Sequence, residues 1–153
     1  ERKVKKIYKA IVVGKILGSF EINEPIGRDK KNRTKMSVRS DGKEASTFFK
    51  LDEDLGNYSL LNILLKTGRT HQIRVHLSWK KLPIIGDKTY NPSNNIAKGT
   101  NMDLAKTIKE FSRQALHSYH LSFRDIDTDK IVSYNAPIHQ DIGNLVNILK
   151  KHI

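Results

Sequence analysis

Apolar and polar residues follow two different periods along this chain, and the period indicates where strands and helices lie. Short apolar runs rich in β-branched residues and ended by Gly, Pro or turn residues are typical of strands. Six stretches have this pattern: residues 3–14, 16–24, 45–51, 58–66, 114–123 and 131–136. Apolar residues three and four positions apart predict helices instead. Three stretches have that spacing: one beginning at Thr70, one over residues 103–111 behind an Asp103 cap, and one over residues 141–150. The order of these elements favours an α+β fold of mainly antiparallel strands with a central and a C-terminal helix.

The central helix lies in the stretch LLKTGRTHQIRVHLSWKKLPIIGDKTY, residues 64–90, where the polar residues are densest. A Gly turn precedes Thr70, whose hydroxyl is suited to capping the helix. Helical spacing then puts His71 and Arg74 on one face. Backbone N–H groups at the start of the helix, with Arg69 beside them, would form an anion site. A solvated, charged helix face is the ordinary interpretation of such a stretch.

Charge and composition narrow the possible partners. The 153 residues carry 28 Lys and Arg against 16 Asp and Glu, a net charge of +12, which favours a polyanion because neutralised phosphates release counterions. An anionic membrane surface is the alternative, but no basic amphipathic helix with a large apolar face stands out. No apolar run approaches the roughly 18 residues of a membrane helix. With no cysteine, disulfides and thiolate metal sites are excluded. Nucleic acid is therefore the preferred partner, with no membrane.

The densest basic segment is PIGRDKKNRTKMSVR, predicted to be a loop. Its cations are Arg28, Lys30, Lys31, Arg33, Lys35 and Arg39. Solvated surface is the ordinary interpretation of a charge run, and an RNA-phosphate loop is the alternative.

Two groups of possible metal ligands have unsuitable spacing. Asp52, Glu53 and Asp54 lie in the predicted turn of the hairpin formed by residues 45–66, where a solvated tip is the simpler interpretation. His117 and His120 lie in a predicted strand, which would point them to opposite faces. We therefore expect no metal site.

Two motifs carry a family resemblance. GRTHQIRVHL followed by PIIGDKTY closely resembles the signature of the RluA-type RNA pseudouridine synthases, TGRxHQxRxHL then PIxGDxxYG. The basic K-x-Y-x-A strand around Tyr8, the PIGRD segment, the GKEAST segment and the strand QALHSYHLSF are similar to further family elements. The resemblance covers the chain from Lys5 to about Pro137. It departs from the pattern at Asn91, where Gly is usual, and at Arg124–Asp125, where His-Pro is common.

The resemblance implies a fold, a reaction and a location. It implies that residues 1–153 are part of the catalytic domain, a bipartite, mainly antiparallel sheet with an RNA cleft. Such enzymes are cytoplasmic and convert uridine in ribosomal or transfer RNA to pseudouridine. They break the N1–C1′ bond, rotate the base and rejoin it through C5, without cofactor or metal.

The resemblance also implies residue roles. Tyr8 matches the tyrosine that packs on the target uracil and is implicated in proton removal at C5. Arg74 matches the arginine that pairs with the catalytic aspartate, a pairing in which bidentate hydrogen bonds keep a carboxylate ionised and oriented. Arg69, Thr70 and His71 are expected to contact phosphates or the flipped nucleotide. The PIGRD resemblance favours the RNA-phosphate loop, so Arg28, Lys30, Lys31 and Arg33 are expected to bind RNA as well.

The family's catalytic aspartate belongs to an upstream HRLD motif that these residues do not contain. We therefore expect the 153-residue chain alone to be inactive, marginally folded and open at one sheet edge, with Arg74 lacking its partner. Asp87 is expected to bond neighbouring backbone N–H groups in its turn. An RNA-binding module without catalysis remains the alternative, because the basic charge supports both.

Overall fold

The computed structural model describes residues 4–153, and its main element is a six-stranded antiparallel sheet. The eight strands are β1 Lys5–Val13, β2 Ser19–Ile22, β3 Ile26–Arg28, β4 Met36–Val38, β5 Thr47–Leu55, β6 Tyr58–Leu65, β7 Leu116–Arg124 and β8 Ile131–Asn135. The large sheet has the order β2-β5-β6-β1-β7-β8, while β3 and β4 form a separate hairpin. At the β8 edge of the large sheet, four of the five strand residues are exposed. Within residues 4–153 no helix is long and apolar enough to cross a membrane.

The described chain has the helices α1 Gln72–Trp79, α2 Met102–Glu110 and α3 Gln140–Lys150; α1 and α3 contact the large sheet, and α2 packs against α3. On β5, Thr47 hydrogen-bonds to α1 and Glu53 forms an ion pair with α3. Their cross-strand partners on β6 are Leu65 and Leu60, five positions apart. Because side chains alternate along a strand, α1 and α3 lie on opposite faces of the sheet. Buried strand and helix residues such as Ile11, Leu61, Leu77 and Leu145 form the main core around it, and Ile26, Ala45 and Val75 form a smaller second cluster.

The start of α1 differs from the prediction. The helix begins at Gln72, and the residue before it, His71, has a left-handed conformation with φ 55° and no capping side chain. Gln72, the first residue of the helix, provides the side-chain hydrogen bonds at this end instead. Its Oε1 accepts from the Arg69 N–H and from the Thr67 hydroxyl. The predicted Thr70 cap is therefore wrong.

Three other boundaries differ for similar local reasons. The acidic residues Asp52 to Asp54 belong to β5, and the turn is made by Gly56, with φ 74°, and Asn57. Helix α2 is capped by the side chain of Asn101, which accepts from the Leu104 N–H, and not by Asp103. The predicted basic loop is the β3–β4 hairpin, with Lys30, Lys31, Arg33 and Lys35 between the strands, Arg28 at the end of β3 and Arg39 at the base.

Candidate active site and nucleic-acid interface

Arg74 and Asp87 form a bidentate ion pair at the centre of the site. Arg74 Nε donates to Asp87 Oδ2 and Arg74 Nη2 to Oδ1, each at 2.8 Å. The Arg74 side chain is 12% exposed and that of Asp87 only 1%. The expectation that Arg74 would lack a partner is wrong, because the turn after α1 brings a carboxylate to it. The Asp87 Oδ1 also accepts from the N–H groups of Thr89 and Tyr90 at 3.1 Å, which confirms its predicted role in the turn.

The hydrogen bonds decide the charge state of this pair. Burial alone would raise the pKa of Asp87, but the bonds from Arg74 and from two backbone N–H groups outweigh it and hold that pKa below its ordinary 3.8. The same hydrogen bond raises the pKa of Arg74. Both groups are therefore ionised at neutral pH, and Asp87 is a weak base.

Tyr90 joins this pair to the basic hairpin. Its ring centroid lies 4.9 Å from Arg74 Cζ, within cation–π range. Its hydroxyl accepts from the Met36 N–H of β4 at 3.0 Å and lies 2.8 Å from Nδ1 of His71. Burial, with further contributions from Arg74 and Arg28, lowers the pKa of His71 below 6.5, so the neutral imidazole can accept the tyrosine proton. Sequence reasoning missed Tyr90, although it ends the PIIGDKTY motif.

A polar groove of about 520 Å³ lies between the hairpin and the segment before α1. Three of the predicted RNA-binding residues, Arg28, Arg69 and Thr70, line it together with Arg39 and Lys43. The remaining predicted cations Lys30, Lys31 and Arg33 are exposed at the hairpin tip beside the groove.

His71 is not in this groove; its ring faces Tyr90 instead. The predicted anion site at the start of α1 is wrong in part, because the Arg69 N–H is taken by the Gln72 side chain. The guanidinium of Arg69 lies at the same place, and its Nε donates to the Glu44 carbonyl.

Tyr8 lies on β1, half-buried, between β6 and β7. It is directly opposite Ile63, which is opposite Phe49, two residues from the Thr47 that contacts α1. Directly opposed residues share a face, so Tyr8 lies on the face of the sheet that carries α1 and Arg74. Within the described chain Tyr8 takes no part in the hydrogen bonds around Arg74.

The candidate metal ligands have other tasks. His117 Nε2 is bonded to the Ala136 carbonyl and His120 Nδ1 to the Asn135 side chain, which ties β7 to β8 and to the residue after it. Among residues 4–153 no group of three or more His, Asp or Glu side chains is arranged to hold a metal ion.

The chain is similar to proteins of one family. The family model described as RNA pseudouridylate synthase matches residues 1–79. Ribosomal large subunit pseudouridine synthase D of Vibrio cholerae is 37% identical over 151 residues, which are 99% of this chain and 47% of that protein. The protein of the same name from Blochmanniella floridana is 40% identical over 154 residues, 99% of this chain and 48% of the relative. The chain thus spans about half the length of these curated relatives.

Solved structures agree with the sequence comparison. Human RNA Pseudouridylate Synthase Domain Containing 1 superposes with a TM-score of 0.68 at 26% identity, covering 96% of this chain and 66% of that one. Human RNA Pseudouridylate Synthase Domain Containing 4 shares the fold, with a TM-score of 0.71 at 20% identity over 96% of this chain and 62% of that one. The α+β prediction and the resemblance to RluA-type synthases are both confirmed. With a family model matched over more than half of its length, the chain belongs to the RNA pseudouridylate synthase family.

Proposed function

We propose that residues 1–153 are part of the catalytic domain of an enzyme that isomerises specific uridines to pseudouridine in ribosomal or transfer RNA. The observation that carries the proposal is the Arg74 guanidinium, which is almost buried, is bound to Asp87 along one edge and keeps further N–H donors available. The name that both relatives carry, ribosomal large subunit pseudouridine synthase D, favours ribosomal RNA as the substrate.

Arg74 has donors to spare for a reacting carboxylate. A guanidinium has five N–H donors, and Asp87 uses one on Nε and one on Nη2. Within the described chain the Nη1 group of Arg74 has no hydrogen-bond partner. In the proposed reaction these remaining donors hold the catalytic aspartate of the upstream motif ionised and oriented, so that it can attack the sugar.

Tyr8 has the second role. On the face of the sheet that carries α1, its ring stacks on the extruded uracil, and its hydroxyl is the candidate for removing the proton at C5. An enzyme that acts on a base must take that base out of its stack, and an aromatic ring compensates for part of the lost stacking.

The RNA phosphates would be bound outside the site formed by Arg74 and Tyr8. Arg28 and Arg69 in the groove and the cations at the hairpin tip would bind phosphates on either side of the flipped nucleotide. The net charge of +12 would supply the sequence-independent part of the affinity. No cofactor or metal is needed in this scheme, and the expected location is the cytoplasm.

An RNA-binding module without catalysis is the second candidate. The groove and the hairpin would suffice for phosphate binding. That function needs neither a buried Arg74 with open donors nor a Tyr8 on the same face, and we therefore favour the enzyme.

Tritium release distinguishes the two candidates. Rejoining the base through C5 displaces the C5 hydrogen, so RNA labelled with tritium at C5 of uridine releases one tritium for each pseudouridine formed. The full-length gene product that contains this chain should release tritium, with or without EDTA. The 153-residue chain alone should bind the RNA and release none. A full-length protein that binds ribosomal and transfer RNA but releases no tritium from either would establish the binding module instead.

A further inference from the structure

We infer that Asp87 and Tyr90 are positioning residues that fix the plane of the Arg74 guanidinium, so that its open edge meets the reacting carboxylate in one orientation. The inference rests on the proposed function, because it assigns these two residues to the reaction through Arg74. Neither residue would touch the RNA or the reacting atoms.

Asp87 fixes one edge of the guanidinium. Two parallel hydrogen bonds of 2.8 Å set the direction and the plane of Arg74. The carboxylate cannot rotate without breaking its bonds to the N–H groups of Thr89 and Tyr90. Because the Asp87 carboxylate is fixed in orientation, it also fixes the orientation of the Arg74 guanidinium.

The turn that carries Asp87 is itself held in place. Gly86 has φ 76°, and a Cβ there would lie 2.0 Å from the carbonyl oxygen of Arg113. On the other side the buried Asn91 donates its N–H to the Asp87 carbonyl at 2.8 Å and its side-chain amide to the Ile84 carbonyl. A carboxylate in so constrained a turn can serve as a fixed reference for another side chain.

Tyr90 covers one face of the guanidinium. Its ring lies 4.9 Å from Arg74 Cζ, and its hydroxyl is held by Met36 and His71 on other elements. Tilting of Arg74 towards that face is blocked. Edge and face together leave the Nη1 side as the direction in which Arg74 can bind an anion.

Asp87 is unsuited to act on the substrate itself. Its Oδ1 accepts from three donors and its Oδ2 from Arg74, so neither oxygen is free. The side chain is 1% exposed, which prevents contact with RNA. These two facts assign it a positioning role and exclude a catalytic one.

The substitution D87N tests the inference at one atom. Asparagine keeps an oxygen to accept from the turn, but its amide group now faces a donor of Arg74. Because misplacement by about 1 Å can cost on the order of 100-fold in rate, we expect kcat to fall by about that factor. The Kd for substrate RNA should stay within about twofold, since the phosphate grip lies in the groove and the hairpin.

The control is D141N. Asp141, on α3, forms a bidentate pair with the side chain of Arg113 at 2.7 and 2.8 Å, which is more exposed than the Arg74 pair. Only the backbone carbonyl of Arg113 packs on Gly86, so D141N leaves that contact in place. This variant loses the same kind of pair and should lose stability without losing kcat. Thermal unfolding of both variants separates a loss of fold from a loss of positioning.

A double-mutant cycle with R74K gives the decisive readout, under single-turnover conditions with enzyme in excess. If Asp87 acts through Arg74, D87N should lower the rate less than about threefold further in the R74K background.

Unchanged kcat in D87N, or an additive loss in the cycle, would overturn the inference while leaving the activity of the unsubstituted enzyme intact. An unsubstituted enzyme that releases no tritium would instead overturn the proposed function. In that case NMR still tests the positioning of Arg74. If D87N leaves the Arg74 Nε–H chemical shift unchanged, Asp87 does not hold the guanidinium and the inference is overturned as well.

Discussion

The hydroxyl of Tyr90 lies 2.8 Å from Nδ1 of His71, and this contact links the turn after α1 to the start of α1 itself. Since the same hydroxyl accepts from the Met36 N–H, its single proton is free to be donated to the neutral imidazole. One side chain therefore joins the Asp87 turn, the α1 start and the basic hairpin. The hairpin that we propose as an RNA contact and the orientation of Arg74 therefore depend on the same side chain.

The variant Y90F should loosen this anchor while keeping the ring over Arg74. The Met36 N–H loses its acceptor, and we expect a loss of about 1–2 kcal/mol in the free energy of unfolding. The Kd for RNA should rise about threefold to tenfold. The kcat should also fall, but less than in D87N, because the two hydrogen bonds between Arg74 and Asp87 remain. Urea denaturation and filter binding measure the two effects. Y134F on the exposed β8 strand is the control for stability, since Tyr134 is 60% exposed. Equal stability losses in both variants would contradict the anchoring role of Tyr90.

A second histidine makes the stability depend on pH. His76 is fully buried, its Nε2 lies 2.8 Å from the Glu24 carbonyl, and its Nδ1 lies 2.9 Å from the Thr47 hydroxyl. Nε2 must carry a proton because a carbonyl only accepts. In the neutral ring Nδ1 then accepts from the Thr47 hydroxyl, which itself accepts from the Gln72 side chain. Burial lowers the pKa of His76 below its ordinary 6.5. The unfolded chain therefore binds a proton at a higher pH than the folded chain does.

Stability should be full above pH 6.5 and should fall as the pH drops below it. The slope for one proton is at most about 1.4 kcal/mol per pH unit. His71, whose pKa is lowered in the same direction, adds a smaller contribution. Urea denaturation between pH 5 and 7.5 should show this slope, and H76Q, which does not titrate, should be less stable but flatter. An unchanged slope in H76Q would show that His76 does not cause it.

The strands could be predicted because their signal is local. Runs such as KKIYKAIVV and YSLLNILL combine β-branched or apolar residues with a turn at the end, and both are strands in the structure. Element boundaries depended on partners far along the chain. Gln72 starts α1 because its side chain also bonds Ser46 and Thr47, more than twenty residues away, which no local pattern reveals.

The sequence predicted several residues of the site, but not the contacts that those residues make with one another. Arg74 and Asp87 were both singled out, yet the family resemblance assigned Arg74 to a different carboxylate, so their bond was missed. Tyr90 is uncharged, and nothing in the local sequence indicated that it would contact Arg74. Its role depends on Met36, 54 positions away, which only the folded hairpin brings to it.

Gly86 should be intolerant of a side chain, and Gly18 provides a matched comparison. Both have positive φ, 76° and 74°, but a Cβ at Gly18 would meet nothing within 4 Å, whereas at Gly86 it would strike the Arg113 carbonyl. G18A should cost about 1–2 kcal/mol for the left-handed backbone alone. G86A should cost about 4 kcal/mol or more. Urea denaturation of both variants checks this, and similar losses would show that the turn can move away from Arg113.

The salt dependence of RNA binding should identify the hairpin tip as a phosphate contact. Removing two contacts to single-stranded RNA reduces the slope of log K against log salt by about 1.4. The variant K30A/K31A should show this reduction. Its control is K106A/K109A on the exposed side of α2, which removes the same two charges from a helix that packs against α3. The two variants have equal net charge, so a difference between their slopes reports where the RNA lies. Equal slopes would mean that RNA binding depends only on the total charge of the protein, and that the hairpin tip is not a phosphate contact.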